Sequence, residues 1–239
     1  MVEEHRDCRL RKVNARPNGY LARETFGITA GPTREPLDPV RYLSNRSSGK
    51  MGYAIAAAAL EEKHDVVLIS GPVELDAPAG AKVIRVVTGD EMFAAISEEV
   101  ADCDVLVMCA AVCDYKPAHY APTKLKKTRE PFALELVPAR DLLASLTSTA
   151  HDYFVVGFAA ETQALEENAA RKLAEKHCDL LVANDVSRAD IGMDSDDNEL
   201  VIFAKNAAPK KIPRAKKTEV ARALLKIILN AREYCLTKK

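Results

Sequence analysis

The sequence predicts an α/β protein: a three-layer, Rossmann-like, mostly parallel sheet with helices on both faces and one flap or hairpin excursion. Three observations carry this. Short apolar runs rich in Val and Ile recur along the chain with almost no charge inside them, as in strands covered on both faces. Stretches with helical spacing separate most of those runs, the alternation expected of crossover units. The chain of 239 residues is 48% hydrophobic and 29% charged, an ordinary globular mix with enough apolar material for a large core.

Taken in order, residues 1–23 are polar and carry Arg6, Arg9, Arg11, Lys12 and Arg16, so they read as an N-terminal arm or linker remnant ahead of one domain over 24–239. The predicted strands are 25–30, 66–70, 83–87, 105–110, 153–158, 180–183 and 200–203. Helical spacing falls on 51–63, where Ser47 and Ser48 are placed to cap, and on 90–100, 141–149 and 162–176. The last helix, 216–234, sets Val220, Leu224, Ile227 and Ile228 on one stripe. Residues 116–137 break the rhythm with Pro117, Pro122, Pro131, a lysine cluster and the alternating segment 132–137. That is too long for an ordinary connection and predicts a flap or hairpin.

Charge and composition exclude several classes. With 34 Lys+Arg against 35 Asp+Glu the formal charge is −1, which argues against nucleic acid or a membrane surface as partner. No apolar run approaches the roughly 20 residues that span a bilayer, and the first residues lack the apolar core of a secretory signal, so a cytoplasmic protein is expected. The six cysteines, Cys8, Cys103, Cys109, Cys113, Cys178 and Cys235, form no C-x-x-C pair, and three sit in or beside apolar runs, as small buried hydrophobes do. The five histidines, His5 among them, are scattered without a zinc spacing.

Five stretches can carry chemistry. GPTREPLDPVRYLSNRSSGKMG (31–52) is neither a Walker A loop nor a G-x-G-x-x-G fingerprint, yet Ser48-Gly49-Lys50-Met51-Gly52 opens a helix with small residues beside Arg34, Arg41 and Arg46. It reads either as an anion site or as a capped helix with solvated arginines. Met108 to Pro117 ends a central strand with small residues against which a flat ligand can lie. Asp114 there either holds a ligand hydroxyl or amine or caps a turn. Lys124-Leu125-Lys126-Lys127 is a solvated loop unless a polyphosphate engages it. VGFAAET (156–162) leads into a helix whose Lys172 and Lys176 share one face, for a ligand or for the macrodipole. ANDVS (183–187) ends a further strand near the acidic 194–199, where a turn is simpler than a magnesium ligand, and the metal ligands stay open.

Together and in order, 31–52, AAVCDYKP (110–117), KLKK (124–127), 156–162 and 183–187 resemble phosphopantothenate–cysteine ligase (phosphopantothenoylcysteine synthetase), of the bacterial CTP-dependent type. The resemblance spans about residues 25–230. It implies a ligase of coenzyme A biosynthesis that joins 4'-phosphopantothenate to L-cysteine through an acyl-cytidylate, with CTP cleaved to CMP and pyrophosphate and Mg2+ accompanying the CTP. The flavin-dependent decarboxylase half has no counterpart here, so no flavin is expected, and a separate phosphopantothenoylcysteine decarboxylase joins the candidate partners. The implied catalytic residues are Asn45 and Lys124. Arg41, Asn45, Ala110 and Ala111 fall at the phosphopantothenate end. Met108, Cys109, Ala110, Asp114, Lys124, Arg140, Asp141, Leu142, Leu143, Phe158, Lys172 and Lys176 fall at nucleotide-binding positions. Ala139-Arg140-Asp141 departs from the family's Asn-Pro-Asp or Thr-Pro-Asp, which changes the loop before a helix. The family also implies a homodimer, expected through the antiparallel part of the sheet. The alternatives are an ATP-dependent form of the same ligase, a non-catalytic nucleotide-binding module, and a nicotinamide oxidoreductase, the last weakened by the missing glycine fingerprint.

Overall fold

The computed structural model describes residues 23–127, 129–188 and 190–237. The expected basic arm, with His5 and Cys8, lies outside the described residues apart from Arg23. The described chain runs β1 (Thr25–Ala30), β2 (Arg34–Pro36), β3 (Tyr42–Ser44), α1 (Lys50–Glu61), β4 (Asp65–Ser70), β5 (Lys82–Arg85), α2 (Gly89–Glu99), β6 (Val105–Met108), β7 (Tyr115–Pro117) and β8 (Leu136–Pro138). It continues through α3 (Leu142–Thr147), β9 (Phe154–Glu161), α4 (Leu165–Glu175), β10 (Leu180–Asp185), β11 (Asp197–Ala204), β12 (Lys210–Lys216) and α5 (Lys217–Thr237).

One sheet of eight strands organises the rest, in the order β12-β11-β10-β9-β6-β1-β4-β5. The six strands from β5 across to β10 are parallel, and β11 and β12 extend the sheet antiparallel. Numbered by their place in the chain, the six read 3-2-1-4-5-6, the doubly wound order that reverses between β1 and β6. Both faces are covered. Ile55, Ala56 and Ala59 of α1 pack with Leu224 and Ile228 of α5 on one side; Met92 and Ile96 of α2, Leu142 and Leu146 of α3 and Ala169 of α4 pack on the other. All four residues of β6 are buried, the reason its sequence Val105-Leu106-Val107-Met108 shows no alternation.

Four short strands and the edge strand depart from the expected pattern. β12 reads Lys210-Lys211-Ile212-Pro213-Arg214-Ala215-Lys216, and only Ile212 is buried; charge and proline protect an exposed edge and hide its apolar signal. β2 and β3 form a two-stranded ribbon inside the 31–52 stretch. The excursion is pinned at its root by β7 pairing with β8, while Phe132, at the start of the alternating segment, lies 65% exposed outside either strand. The strand expected to start at 153 runs on to Glu161, so α4 starts at Leu165 rather than 162. Ser47 and Ser48 do not cap α1. Its N-cap is Gly49 at φ 77°, without a side-chain cap; the Ser47 hydroxyl accepts from Gly49 N and the Ser48 hydroxyl donates to Met193 O.

At the end of the sheet opposite the strand C-termini, Arg232 of α5 is 2% exposed and is shared by two carboxylates, Glu24 and, at 3.2 Å, Asp104. Burial outweighs the arginine at Glu24 and pushes its carboxyl up to about 7, against 4.5 in the open chain. The folded state therefore holds a proton that the unfolded state has released, so stability falls as pH rises from about 4.5 to about 7. Asp179, pushed up to about 6 by burial, acts in the same direction. Urea unfolding across that range should show this loss in the wild type and a shallower loss in Glu24→Gln. An identical pH slope in both proteins would contradict the assignment.

Candidate functional site

Where the winding reverses, the loops leaving β1 and β6 diverge and leave a crevice at the carboxyl ends of the strands. Backbone bonds stitch its floor: Ala111 N donates to Gly31 O at 2.9 Å, Thr33 N to Ala111 O at 3.1 Å, and Ala110 N to the Thr29 hydroxyl at 3.1 Å. Across it, the Asn45 side-chain amide donates to Ala111 O at 3.0 Å, so its carboxamide is fixed by the residue it faces. The crevice encloses a cavity of about 380 Å³.

Two glycines bring α1 to the edge of that cavity. Gly49 takes the left-handed conformation that turns the chain into the helix. Gly52 lets the first turn lie on β1: a Cβ there would sit 2.6 Å from the Ala30 Cβ. With no side chain capping it, the α1 N-terminus lines the cavity through residues 49–52, an arrangement that favours an anion.

Three lysines line the same cavity, each held differently. Lys50 Nζ donates to Asp194 O at 2.9 Å and pairs with Asp196 at 2.7 Å. Lys172 Nζ pairs with Glu161 at 2.7 Å, and Asn168 donates to the other oxygen of that carboxylate. Lys217 is buried, donates to Met193 O at 2.9 Å, and has its ammonium pushed toward the neutral form by burial. Cys109 also lines the cavity, but burial pushes its thiol up to about 12, so it is no thiolate nucleophile.

The candidate residues separate into three groups. Asn45, Cys109, Ala110, Ala111, Asp114, Phe158 and Lys172 meet on the cavity, with Met108 buried beneath. Arg41 lies on the β2–β3 ribbon. Its guanidinium pairs with the buried Asp38 and donates to Leu125 O at 2.5 Å, while Leu125 N donates to Asp38 at 3.1 Å. Lys124, exposed beside Leu125, is thereby tethered through the excursion to the ribbon, outside the cavity wall. The third group joins α3 to α4: Asp141 accepts from Ala144 N and pairs with Lys176, Leu142 is buried, and Leu143 packs partly buried against the same core. Hydrogen bonds from Lys176 and Ala144 overcome burial and hold the Asp141 carboxyl below its usual value. Arg140 stacks its guanidinium 4.3 Å over the Phe93 ring.

Sequence reasoning missed Lys217, Asn198 and the Gly192–Met193 loop, all on the cavity wall. Lys217 did leave a signal: a basic residue opening an amphipathic helix stands against the helix dipole. Among the described residues, no cluster of three or more His, Cys, Asp or Glu is placed to hold a metal ion. None of their helices is long and apolar enough to cross a membrane.

The sheet order and a crevice at the reversal point define a Rossmann-like α/β domain with a cavity at the carboxyl ends of the strands. Residues 21–231 match the family described as DNA/pantothenate metabolism flavoprotein C-terminal domain, and the chain belongs to that family. It is 46% identical over 204 residues to the coenzyme A biosynthesis bifunctional protein CoaBC of Vibrio cholerae, covering 84% of this chain and 51% of that protein. It is 43% identical over 202 residues to the Bacillus subtilis protein of the same name, covering 84% and 50%. The chain thus spans about half the length of the curated relatives it matches. The crystal structure of the C-terminal domain of CoaBC shares the fold at a TM-score of 0.75 and 36% identity, covering 88% of this chain and 96% of that one. A Cab2 mutant in complex with phosphopantothenate-cysteine shares the fold at a TM-score of 0.74 and 15% identity, covering 90% and 88%.

The tight seat of α1 on β1 gives a direct test. Gly52→Ala forces a methyl into a 2.6 Å gap, so stability should fall by about 1–3 kcal/mol, the usual cost of overpacking. An unchanged urea midpoint would show that α1 can shift without cost.

Proposed function

We propose that the chain is a phosphopantothenate–cysteine ligase of coenzyme A biosynthesis, driven by CTP. The observation that carries this reading is the cavity itself, which an open helix N-terminus, three lysines and a fixed carboxamide at Asn45 line together. Such a site suits a phosphate chain on one side and an acyl group on the other. The family membership and the name of the 36% identical C-terminal domain agree with it.

The chemistry follows from charge. A carboxylate is a poor electrophile, so a carboxylate oxygen of phosphopantothenate attacks the α-phosphorus of CTP and pyrophosphate leaves. The cysteine nitrogen then attacks the acyl carbon, CMP leaves with the bridging oxygen, and the amine proton is lost. Neither step needs a protein nucleophile; Cys109 and Cys178, both pushed up to about 12 by burial, offer none. The residues position reactants and balance charge. Asn45 contributes a neutral donor and acceptor at the acyl end. Ala110 and Ala111 bring backbone close to the ligand. Lys172, oriented by Glu161, and Asp114 flank the nucleotide, where Asp114 can accept from the cytosine amine. Lys124 arrives on the excursion, which closes over the acyl-cytidylate and excludes water. Magnesium enters with the triphosphate as part of the substrate.

A homodimer is part of the proposal. Val40, Tyr42, Tyr115, Tyr120, Phe132 and Leu136 are large, exposed and gathered on the β2–β3 ribbon and the β7–β8 excursion. The edge strand β12 carries Lys210, Lys211, Arg214 and Lys216 instead, which disfavours pairing there.

Pyrophosphate release, followed with phosphopantothenate, cysteine and either CTP or ATP, tests the reading. CTP should support turnover at least about tenfold faster, since a mismatched base leaves buried polar groups unpaired; equal rates would reject the CTP preference, and no release with either would reject the ligase. Lys124→Ala should lower kcat by about 100-fold with a smaller change in the KM for CTP, because its charge acts where charge develops. An unchanged kcat with a raised KM would make Lys124 a ground-state anchor.

A further inference from the structure

Lys217 is the first residue of α5 and is only 6% exposed. Its ammonium donates to Met193 O at 2.9 Å and Gly192 O at 3.4 Å, two neutral carbonyls. Among the described residues no carboxylate lies within 4.0 Å of it. Asp194 and Asp196 act on it at longer range, and Asp196 already accepts from Lys50. A buried cation without a paired anion is costly, and the positive end of the helix dipole adds to the cost. Burial correspondingly pushes its ammonium toward the neutral form.

The position of this cation points to the source of its counter-charge. Lys217 lines the cavity, and α1 and α5 pack together so that both helices begin there, one with Lys50 and one with Lys217. An ammonium has three donors, and two carbonyls leave one for a ligand.

We propose that Lys217 binds the phosphate chain of the nucleoside triphosphate in this cavity, an assignment that rests on the nucleotide-dependent reading above. The anion supplies the counter-charge that the protein withholds, and the empty-site cost of the buried lysine becomes affinity for the polyphosphate. In this proposal the contribution falls on the pyrophosphate portion of the nucleotide, which CTP carries and CMP lacks. A lysine that merely stapled the Gly192–Met193 loop would need donors but no charge.

Calorimetric titration of the full chain with CTP, CMP and inorganic pyrophosphate separates the two roles. Lys217→Gln keeps a donor for the loop and removes the charge. It should weaken CTP and pyrophosphate by about tenfold or more, the scale of one charge-assisted hydrogen bond, and leave CMP within about twofold. Lys217→Arg should recover part of the loss. The surface variant Lys216→Gln should change none of the three. Equal weakening of CTP and CMP, or no weakening of either, would overturn the proposal. Because Lys217→Gln can fail to fold, the wild type carries a second readout: brief acetic anhydride labelling followed by peptide mass spectrometry. CTP and pyrophosphate should protect Lys217 while CMP does not; equal labelling under CTP and CMP would also overturn it. A wild type that binds pyrophosphate with this protection yet forms no amide would refute the ligase reading and leave the Lys217 site standing.

Discussion

The reversal of winding between β1 and β6 is the constraint on which the rest depends. Two neighbouring parallel strands whose crossovers leave in opposite directions cannot both be covered at their carboxyl ends, so a crevice forms there. The candidate residues on the cavity are placed relative to it. The backbone bonds from Gly31 and Thr33 to Ala111 hold its two lips together, and Asn45 spans them. Gly52 sets the depth, because α1 can lie against Ala30 only where no side chain intervenes. Move α1 outward and both the anion-facing helix terminus and Lys50 leave the cavity.

Electrostatics then divides labour among cations of similar chemistry. Lys172 is neutralised and oriented by Glu161, so it offers direction more than net charge. Lys50 is half committed to Asp196 on the exposed rim. Lys217 alone of the three is buried against neutral carbonyls, which makes it the most responsive to an incoming anion. The Asp38–Arg41–Leu125 contacts form a separate device. The buried Asp38 carboxylate, held well below its ordinary range by backbone and arginine donors despite its burial, ties the ribbon to the excursion beside Lys124.

Much of this was legible in the sequence because burial on two faces leaves an unmistakable pattern. β1, β6, β9 and β10 could be read from uninterrupted apolar runs, and the closing helix from its stripe. β12 could not, since its identity as a strand depends on pairing with β11 and its residues answer to solvent. The 31–52 stretch is recognisable as chemistry-bearing, yet its serines look like caps beside a glycine, whereas one of them reaches across to Met193, 145 residues away. Long-range contacts of that kind have no local signature. The same holds for Lys217, whose isolation from carboxylates is a property of the packed core rather than of its neighbours in the chain.

The proposed ligase chemistry requires that the carboxylate be activated by nucleotidyl transfer rather than by phosphorylation. Phosphopantothenate bearing an ¹⁸O-labelled carboxylate, incubated with the chain, magnesium and CTP and then given cysteine, decides this by mass spectrometry of the nucleotide product. One labelled oxygen in CMP and none in pyrophosphate is the expected result. Label in inorganic phosphate, with CDP as co-product, would mean an acyl-phosphate route and contradict it.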